Sequence, residues 1–305
     1  GQITSHADRL PFLLRNQAVR QHFYSRLSDS TAVGALRAAG CLQRGTGRIR
    51  GSLTPELGYL ARVAPDESET VKQVLAGLRI RSPQERRLFL RAAKALGPDL
   101  GAAFGQRTLR WISDGRNLEV WHDSLAEYID VLARGGHLDL AMALTRRAVG
   151  FRTESDSPEG PPTRLAAPWY ESFLTSVIEP LAAADGPQTL RLLCSVLETS
   201  LRRQEQGRHG GSAGHEDFSF MWRPAIEDHE QNGREDPRGV LVSQIRDLGV
   251  TLAEGSHDGG LAVVQALAAR PWKVFTRLSL HVLRVRRGPL ELIRARLLER
   301  SLFDD

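Results

Sequence analysis

The sequence predicts an all-α protein made of irregular antiparallel helix pairs stacked as a HEAT- or armadillo-like α-solenoid. Apolar residues recur at three- and four-residue steps along most of the 305-residue chain, and Pro, Gly and Asp/Ser clusters break that pattern at short intervals. Alternating β-branched runs bounded by hairpin turns are absent. With 41% hydrophobic residues the chain can bury a large core, as two compact domains or one extended array. The strict tetratricopeptide and ankyrin patterns are missing, whereas helix pairs of uneven length fit the looser HEAT and armadillo type. The alternative is an irregular helical domain without superhelical stacking.

From Asp8 to Leu27 the residues Leu10, Leu13, Leu14, Ala18, Phe23, Tyr24 and Leu27 share one face of an amphipathic helix. Pro11 sits early, where a missing N–H costs little. Thr31 to Ala39 follows, with Ser28, Asp29 and Ser30 as capping candidates and Gly40 as a left-handed stop. Four helices then run between Thr54 and Ile112. Their apolar sets are Leu57, Leu60, Val63, then Val71, Val74, Leu75, Leu78, then Leu88, Leu90, Ala93, Leu96, and last Leu100, Phe104, Leu109, Trp111, Ile112. Pro55, Asp66-Glu67-Ser68, Ser82-Pro83 and Gly97-Pro98-Asp99 punctuate them. Helices at Asn117 to Arg134 and His137 to Val149, parted by Gly135-Gly136, complete an N-terminal half over residues 1–151.

Residues 152–168 are turn-rich and poor in apolar side chains, which predicts an exposed loop or linker. A C-terminal half, 169–305, then carries helices at Trp169 to Ala184 and Pro187 to Gln204, a glycine-rich flexible loop at 206–215, and four helices from Phe218 to Asn232, Pro237 to Ala253, Gly259 to Ala269 and Pro271 to Leu283. A last helix is expected at Pro289 to Leu302.

No apolar run approaches the roughly 18 to 20 residues that a bilayer span needs, and the N-terminus lacks the basic-then-apolar order of a signal peptide. A cytoplasmic protein with no membrane partner is therefore expected. Cys41 and Cys194 are far apart among apolar neighbours, so they read as free buried thiols. The net charge is +5, but only three of the 41 basic residues are lysines, a bias that often tracks GC-rich coding. The 36 acidic residues are interspersed with the basic ones, as on a solvated helical surface.

The richest polar cluster is Trp222-Arg223-Pro224 leading into Glu227, Asp228, His229 and Glu230. On a helix Glu227 and Glu230 would share a face, but the spacing is not that of a zinc-binding His-Glu-x-x-His, so caps and salt bridges to a neighbouring arginine are expected. Trp222 and Arg223 are residue types that concentrate interface energy, which makes them partner-contact candidates. His209, His215, Glu216 and Asp217 could chelate a cation only if their glycine-rich loop were preformed, so no metal and no cofactor is expected. The Gly45 to Ser52 stretch lacks the lysine and preceding strand of a phosphate cradle. Trp111, Trp121, Trp169, Trp222 and Trp272 read mostly as core anchors. No Gly-x-Ser-x-Gly elbow occurs and neither cysteine has a basic setting, so no catalytic residue is assigned. Near the C-terminus the basic excess is local: Arg270, Lys273, Arg277, Arg284, Arg286, Arg287, Arg294, Arg296 and Arg300 face few carboxylates. Arg284, Arg286 and Arg287 are the further partner-contact candidates.

His22-Phe23-Tyr24-Ser25-Arg26-Leu27, followed by Leu36-Arg37-Ala38-Ala39-Gly40-Cys41-Leu42, resembles a motif in the helical-repeat regions of large bacterial signal-transducing NTPases of the STAND type. Leu57 to Ala64 and Trp222 to Asn232 are similar to other stretches of those proteins. The phosphate loop Gly-x-x-x-x-Gly-Lys-Ser/Thr is absent from the sequence, so the resemblance implies a sensor or scaffold region without the NTPase module. The expected function is non-catalytic protein binding. The alternative is a nucleic-acid-binding HEAT-like protein, for example of the DNA-repair glycosylase type, with Arg79, Arg81, Arg86, Arg87 and Arg91 converging beside a tryptophan and a carboxylate.

Overall fold

The computed structural model describes residues 9–42, 51–115, 117–152, 162–207, 217–232, 236–255 and 257–286, with 294 and 298. Among these residues the chain is all-helical: α1 (Leu10–Leu13), α2 (Gln17–Arg26), α3 (Ala32–Ala38), α4 (Thr54–Val63), α5 (Ser68–Gly77), α6 (Pro83–Ala95), α7 (Pro98–Ala102), α8 (Gly105–Ser113), a 3-10 turn (Leu118–Val120), α9 (His122–Arg134), α10 (Leu138–Val149), α11 (Ala167–Gly207), α12 (Ser219–Trp222), α13 (Pro237–Gly255), α14 (His257–Ala268) and α15 (Lys273–Arg286). The chain divides into two compact units, Gly1–Ala148 and Val149–Asp305. None of the described helices is long and apolar enough to cross a membrane.

In the first unit, helices pack on alternate neighbours. α2 meets α4, α4 meets α6 and α6 meets α9, while α3 meets α5 and α5 meets α7. The core residues Leu57, Leu60, Leu75, Phe89, Leu90, Leu125 and Ile129 are fully buried on those faces, as the apolar spacing predicts. Phe89 receives Phe104 and Trp111 edge-on, each ring centroid 5.1 Å away. Tyr24 and Tyr59 are buried with their hydroxyls donating to Cys41 O at 3.0 Å and Asp29 O at 2.7 Å, so the tyrosine of α2 closes on the apolar turn after α3. Burial pushes the Tyr59 phenol up to about 12. The second unit packs α11 on α13, with α14 and α15 against α13 and against each other.

Several boundaries depart from expectation, each for a local reason. The helix read from Asp8 to Leu27 is interrupted, because Asn16 takes an extended ψ of 123° and caps α2 through its side chain, which accepts from Ala18 N and Val19 N. The helix read over Leu100 to Ile112 is two, α7 and α8. The one read from Asn117 starts with Asn117 in the left-handed region (φ 53°), then a 3-10 turn. The separate helices read at Trp169 to Ala184 and Pro187 to Gln204 are in contrast found as expected, because α11 is broken across Asp185 (φ −157°, ψ 94°), whose carboxylate caps the second half by accepting from Gln188 N at 2.8 Å. The ends of the expected exposed segment 152–168 are tied down: Phe151 pairs with Thr163 in an isolated antiparallel bridge and Leu165 is buried. The expected helix at Pro289 to Leu302 and the glycine-rich loop tip, 208–215, fall outside the described residues, apart from Arg294 and Leu298. Trp111, Trp121 and Trp272 are buried, Trp222 is half-buried and Trp169 is exposed. Both cysteines are free and buried, and burial pushes the Cys194 thiol up to about 12, so it carries almost no thiolate at neutral pH.

Close approach, not a turn, requires glycine at Gly101. A Cβ there would lie 2.7 Å from Ala93 O, and Gly101 O accepts the buried Tyr128 hydroxyl at 2.6 Å. Gly101→Ala should therefore cost about 1–3 kcal/mol by forcing α6 away, measured as a lowered midpoint in urea unfolding. An unchanged midpoint would mean that α6 and α7 adjust freely.

Candidate interaction site

The helix expected from Phe218 to Asn232 is the largest correction. Only Ser219–Trp222 is helical, and the rest of the segment to Asn232 is irregular. Phe218 is left-handed (φ 47°, ψ 26°) and Arg223 is non-helical (φ −141°, ψ 74°), the latter because Pro224 excludes the helical region for the residue before it. Glu227 and Glu230 thus share no helix face.

Backbone outside a helix needs other partners for its carbonyls, and here arginines supply them. Arg223 donates to Ile226 O at 3.0 Å, Arg246 of α13 donates to the same oxygen at 3.0 Å, and Arg277 of α15 donates to Pro224 O at 2.7 Å. Asp217 secures the other end. It accepts from Ser219 N at 2.8 Å and, across 57 residues of sequence, from Val274 N at 2.6 Å, so it caps the first turn of α15 from a distant segment. Its own carbonyl takes the Trp222 indole N–H at 3.0 Å. Asn232 closes the loop, accepting from Ala225 N and donating to Glu227 O.

Ion pairs fasten the flanks. Arg246 holds Asp228 at 2.8 Å and Asp247 at 2.7 Å, and Glu227 meets Arg284 and, at 3.4 Å, His281. The hydrogen bond from Arg246 holds the Asp228 carboxyl below its usual range, and its own backbone N–H does the same for Glu227, with Arg284 and His281 assisting. These are the neighbouring-arginine bridges that the sequence led one to expect. A proton donor working near neutrality needs the opposite shift. Asp217, considered for metal binding, spends both oxygens on backbone N–H groups; His209, His215 and Glu216 lie outside the described residues. Among the described residues no group of three or more His, Cys, Asp or Glu could hold a metal ion.

The partner-contact candidates separate. Arg223 is 5% exposed and points inward, where burial lowers its pKa. Trp222 is half-buried with the Arg238 guanidinium 4.6 Å from its ring. Arg284 is exposed but engaged by Glu227. The side chain of Arg286 and all of Arg287 lie outside the described residues. Residues not singled out in the sequence are the most available ones: Phe220 and Met221 are 64% and 68% exposed on α12, between the buried Ser219 and the anchored Trp222. Beside the segment an open cleft of about 820 Å³ is lined by Glu171, Asp228, His229, Glu230, Asn232 and Gln244, with Arg223 at its wall. Of the arginines considered for nucleic acid, Arg79, Arg81, Arg87 and Arg91 are exposed, whereas Arg86 is turned in against Trp111, Trp121 and Asp114.

In comparisons with family models, curated proteins and solved structures, nothing matches this chain.

The two flanking pairs should differ sharply in worth. Arg246→Ala removes donors from a buried carbonyl and should cost about 1.5–3 kcal/mol, whereas exposed Arg284→Ala should cost about 0.5 kcal/mol or less, both read by urea unfolding. Because the Asp228 carboxyl is lowered in the folded state, its contribution is complete above the unfolded pKa and is lost as pH falls through the folded value. The Arg246→Ala deficit should therefore shrink in acid. A deficit independent of pH would assign it to the carbonyl alone.

Proposed function

We propose that the chain is a non-catalytic protein-interaction module, a scaffold or sensor region built of helical repeats. The observation that carries this is the display of Phe220 and Met221: two large apolar side chains held outward on a single turn that Asp217, Ser219 and Trp222 pin from both sides. Exposed apolar side chains on a fixed backbone bind at low ordering cost, because the conformational entropy was lost on folding. Phe218 in the left-handed region carries strain that the Asp217 hydrogen bonds offset. The packing of α2, α4, α6 and α9 in one row and of α3, α5 and α7 in another supports the helical-repeat part of the proposal, as successive repeats of a solenoid contact in two rows. Two free buried thiols suit a reducing compartment such as the cytoplasm.

A nucleic-acid role has one observation in its favour, the exposed Arg87 and Arg91 four residues apart on α6. It lacks the tryptophan and carboxylate beside them, since Trp111, Trp121 and Asp114 are engaged by Arg86.

The test compares proteins captured from the source cell by the parent chain and by a Phe220→Ser, Met221→Ser double variant, quantified by mass spectrometry. Specific partners should fall about tenfold or more while the melting temperature stays within a degree or so of the parent's. Partners that bind both chains equally would contradict the proposal, and salt-sensitive binding to duplex DNA that needs Arg87 and Arg91 would replace it.

A further inference from the structure

We infer that the N-terminal corner of the first unit, α1 with the start of α2, docks on an anionic phospholipid surface. This goes beyond the protein-interaction proposal, does not rest on it, and departs from the expectation of no membrane partner, which followed from the lack of a spanning segment and does not bear on surface attachment. Between Asp8 and Asp29 the sequence holds four arginines and no further Asp or Glu. Arg20 is buried against Glu56 and donates to Ser52 O at 2.6 Å, so it belongs to the fold. Arg9, Arg15 and Arg26 are exposed, and among the described residues none of them pairs with a carboxylate.

The apolar side chains of the same corner are exposed with them. Phe12 is 70% and Leu13 53% exposed, while the next residue, Leu14, is buried and fastens the turn to the unit. Pro11 fixes the first turn of α1, and Asn16 caps α2 immediately after it, so local backbone chemistry and the buried Leu14 hold the corner without Phe12 and Leu13. The Arg15 guanidinium stands 5.5 Å from the Phe12 ring centroid. An apolar side chain beside an arginine suits the boundary of a bilayer, where the ring enters the acyl region and the cation stays with the phosphates.

Shape decides between a lipid surface and a protein partner. At 70% exposure the Phe12 ring has little of the chain around it and forms a protrusion, not one wall of a groove. A protein would have to offer a preformed pocket for it, whereas a bilayer closes around whatever enters. Among the described residues no carboxylate pairs with Arg9, Arg15 or Arg26, so their charge is left to attract an anionic leaflet. One aromatic and one aliphatic side chain with a few arginines make a weak, reversible attachment that needs both contributions.

Cosedimentation of the full chain with vesicles tests this, using phosphatidylcholine alone and phosphatidylcholine mixed with phosphatidylserine. Binding to the mixed vesicles, weakened by added salt and absent from the neutral ones, is expected. Phe12→Ser with Leu13→Ser, and separately Arg9→Glu with Arg15→Glu, should each reduce it about tenfold. Phe220→Ser with Met221→Ser should leave it unchanged, which separates this corner from the proposed protein contact. Circular dichroism checks that each variant is folded; should the apolar pair fail to fold, the charge reversal decides. No binding to the mixed vesicles, equal binding to neutral ones, or binding indifferent to the folded variants overturns the inference, as does capture of an acidic protein by this corner without affinity for vesicles.

Discussion

Guanidinium groups donating to the carbonyl ends of helices are the interaction on which the rest of this structure depends. Every helix leaves its last carbonyls without an intrahelical donor. In the first unit Arg62 of α4 meets Tyr24 O and Leu27 O at the end of α2, Arg107 of α8 meets Leu75 O at 3.0 Å and Leu78 O at 2.8 Å at the end of α5, and Arg86 of α6 reaches Trp111 O on α8. In the second unit Arg164 takes Gly150 O and Arg203 takes Phe151 O, just past the end of α10. In the first unit each contact ties two helices that are distant in sequence while completing a terminus. The planar fork of arginine reaches two carbonyls at once and stacks on rings as it does so: Arg107 lies 5.2 Å from Phe89 and 5.8 Å from Trp111.

The same chemistry explains how an irregular stretch of backbone can stand at the candidate site. The carbonyls of Pro224 and Ile226 would cost stability if buried unpaired, and Arg223, Arg246 and Arg277 meet them. With the arginines turned inward, the surface of α12 is left to Phe220 and Met221. The cations hold the backbone in place, and the exposed apolar side chains carry the proposed contact. Buried carboxylates complete the division. Glu85 closes a capping box with Ser82 and also accepts from Leu53 N at 2.9 Å, and Asp217 does the corresponding work in the second unit.

Much of the helical framework was legible because short helices with apolar stripes and proline starts announce themselves locally. Pro83 after Ser82, Pro98 after Gly97 and the left-handed Gly40 after α3 fall at the helix boundaries where their chemistry puts them. The segment after Trp222 was not, although Pro224 carried the signal: a proline six residues into a pattern that reads as a helix from Phe218 forbids the turn before it. The tie between Asp217 and Val274 had no sequence signature, since nothing local reveals a cap supplied from 57 residues away. The arginine excess was visible but its use was not. Composition alone favours coding bias and a solvated surface over a nucleic-acid face, and only the positions of the carbonyls opposite show where Arg62 and Arg107 go.

The most direct test replaces the fork while keeping the charge. Arg62→Lys and Arg107→Lys, each compared with the parent in equilibrium urea unfolding, leave one cation at each helix end but cannot span two carbonyls. Each variant should lose about 1–3 kcal/mol, the worth of the missing charge-assisted bond and, for Arg107, of its ring contacts. Stability equal to the parent's in both variants would show that these arginines contribute charge alone, and that the helix ends are held by something else.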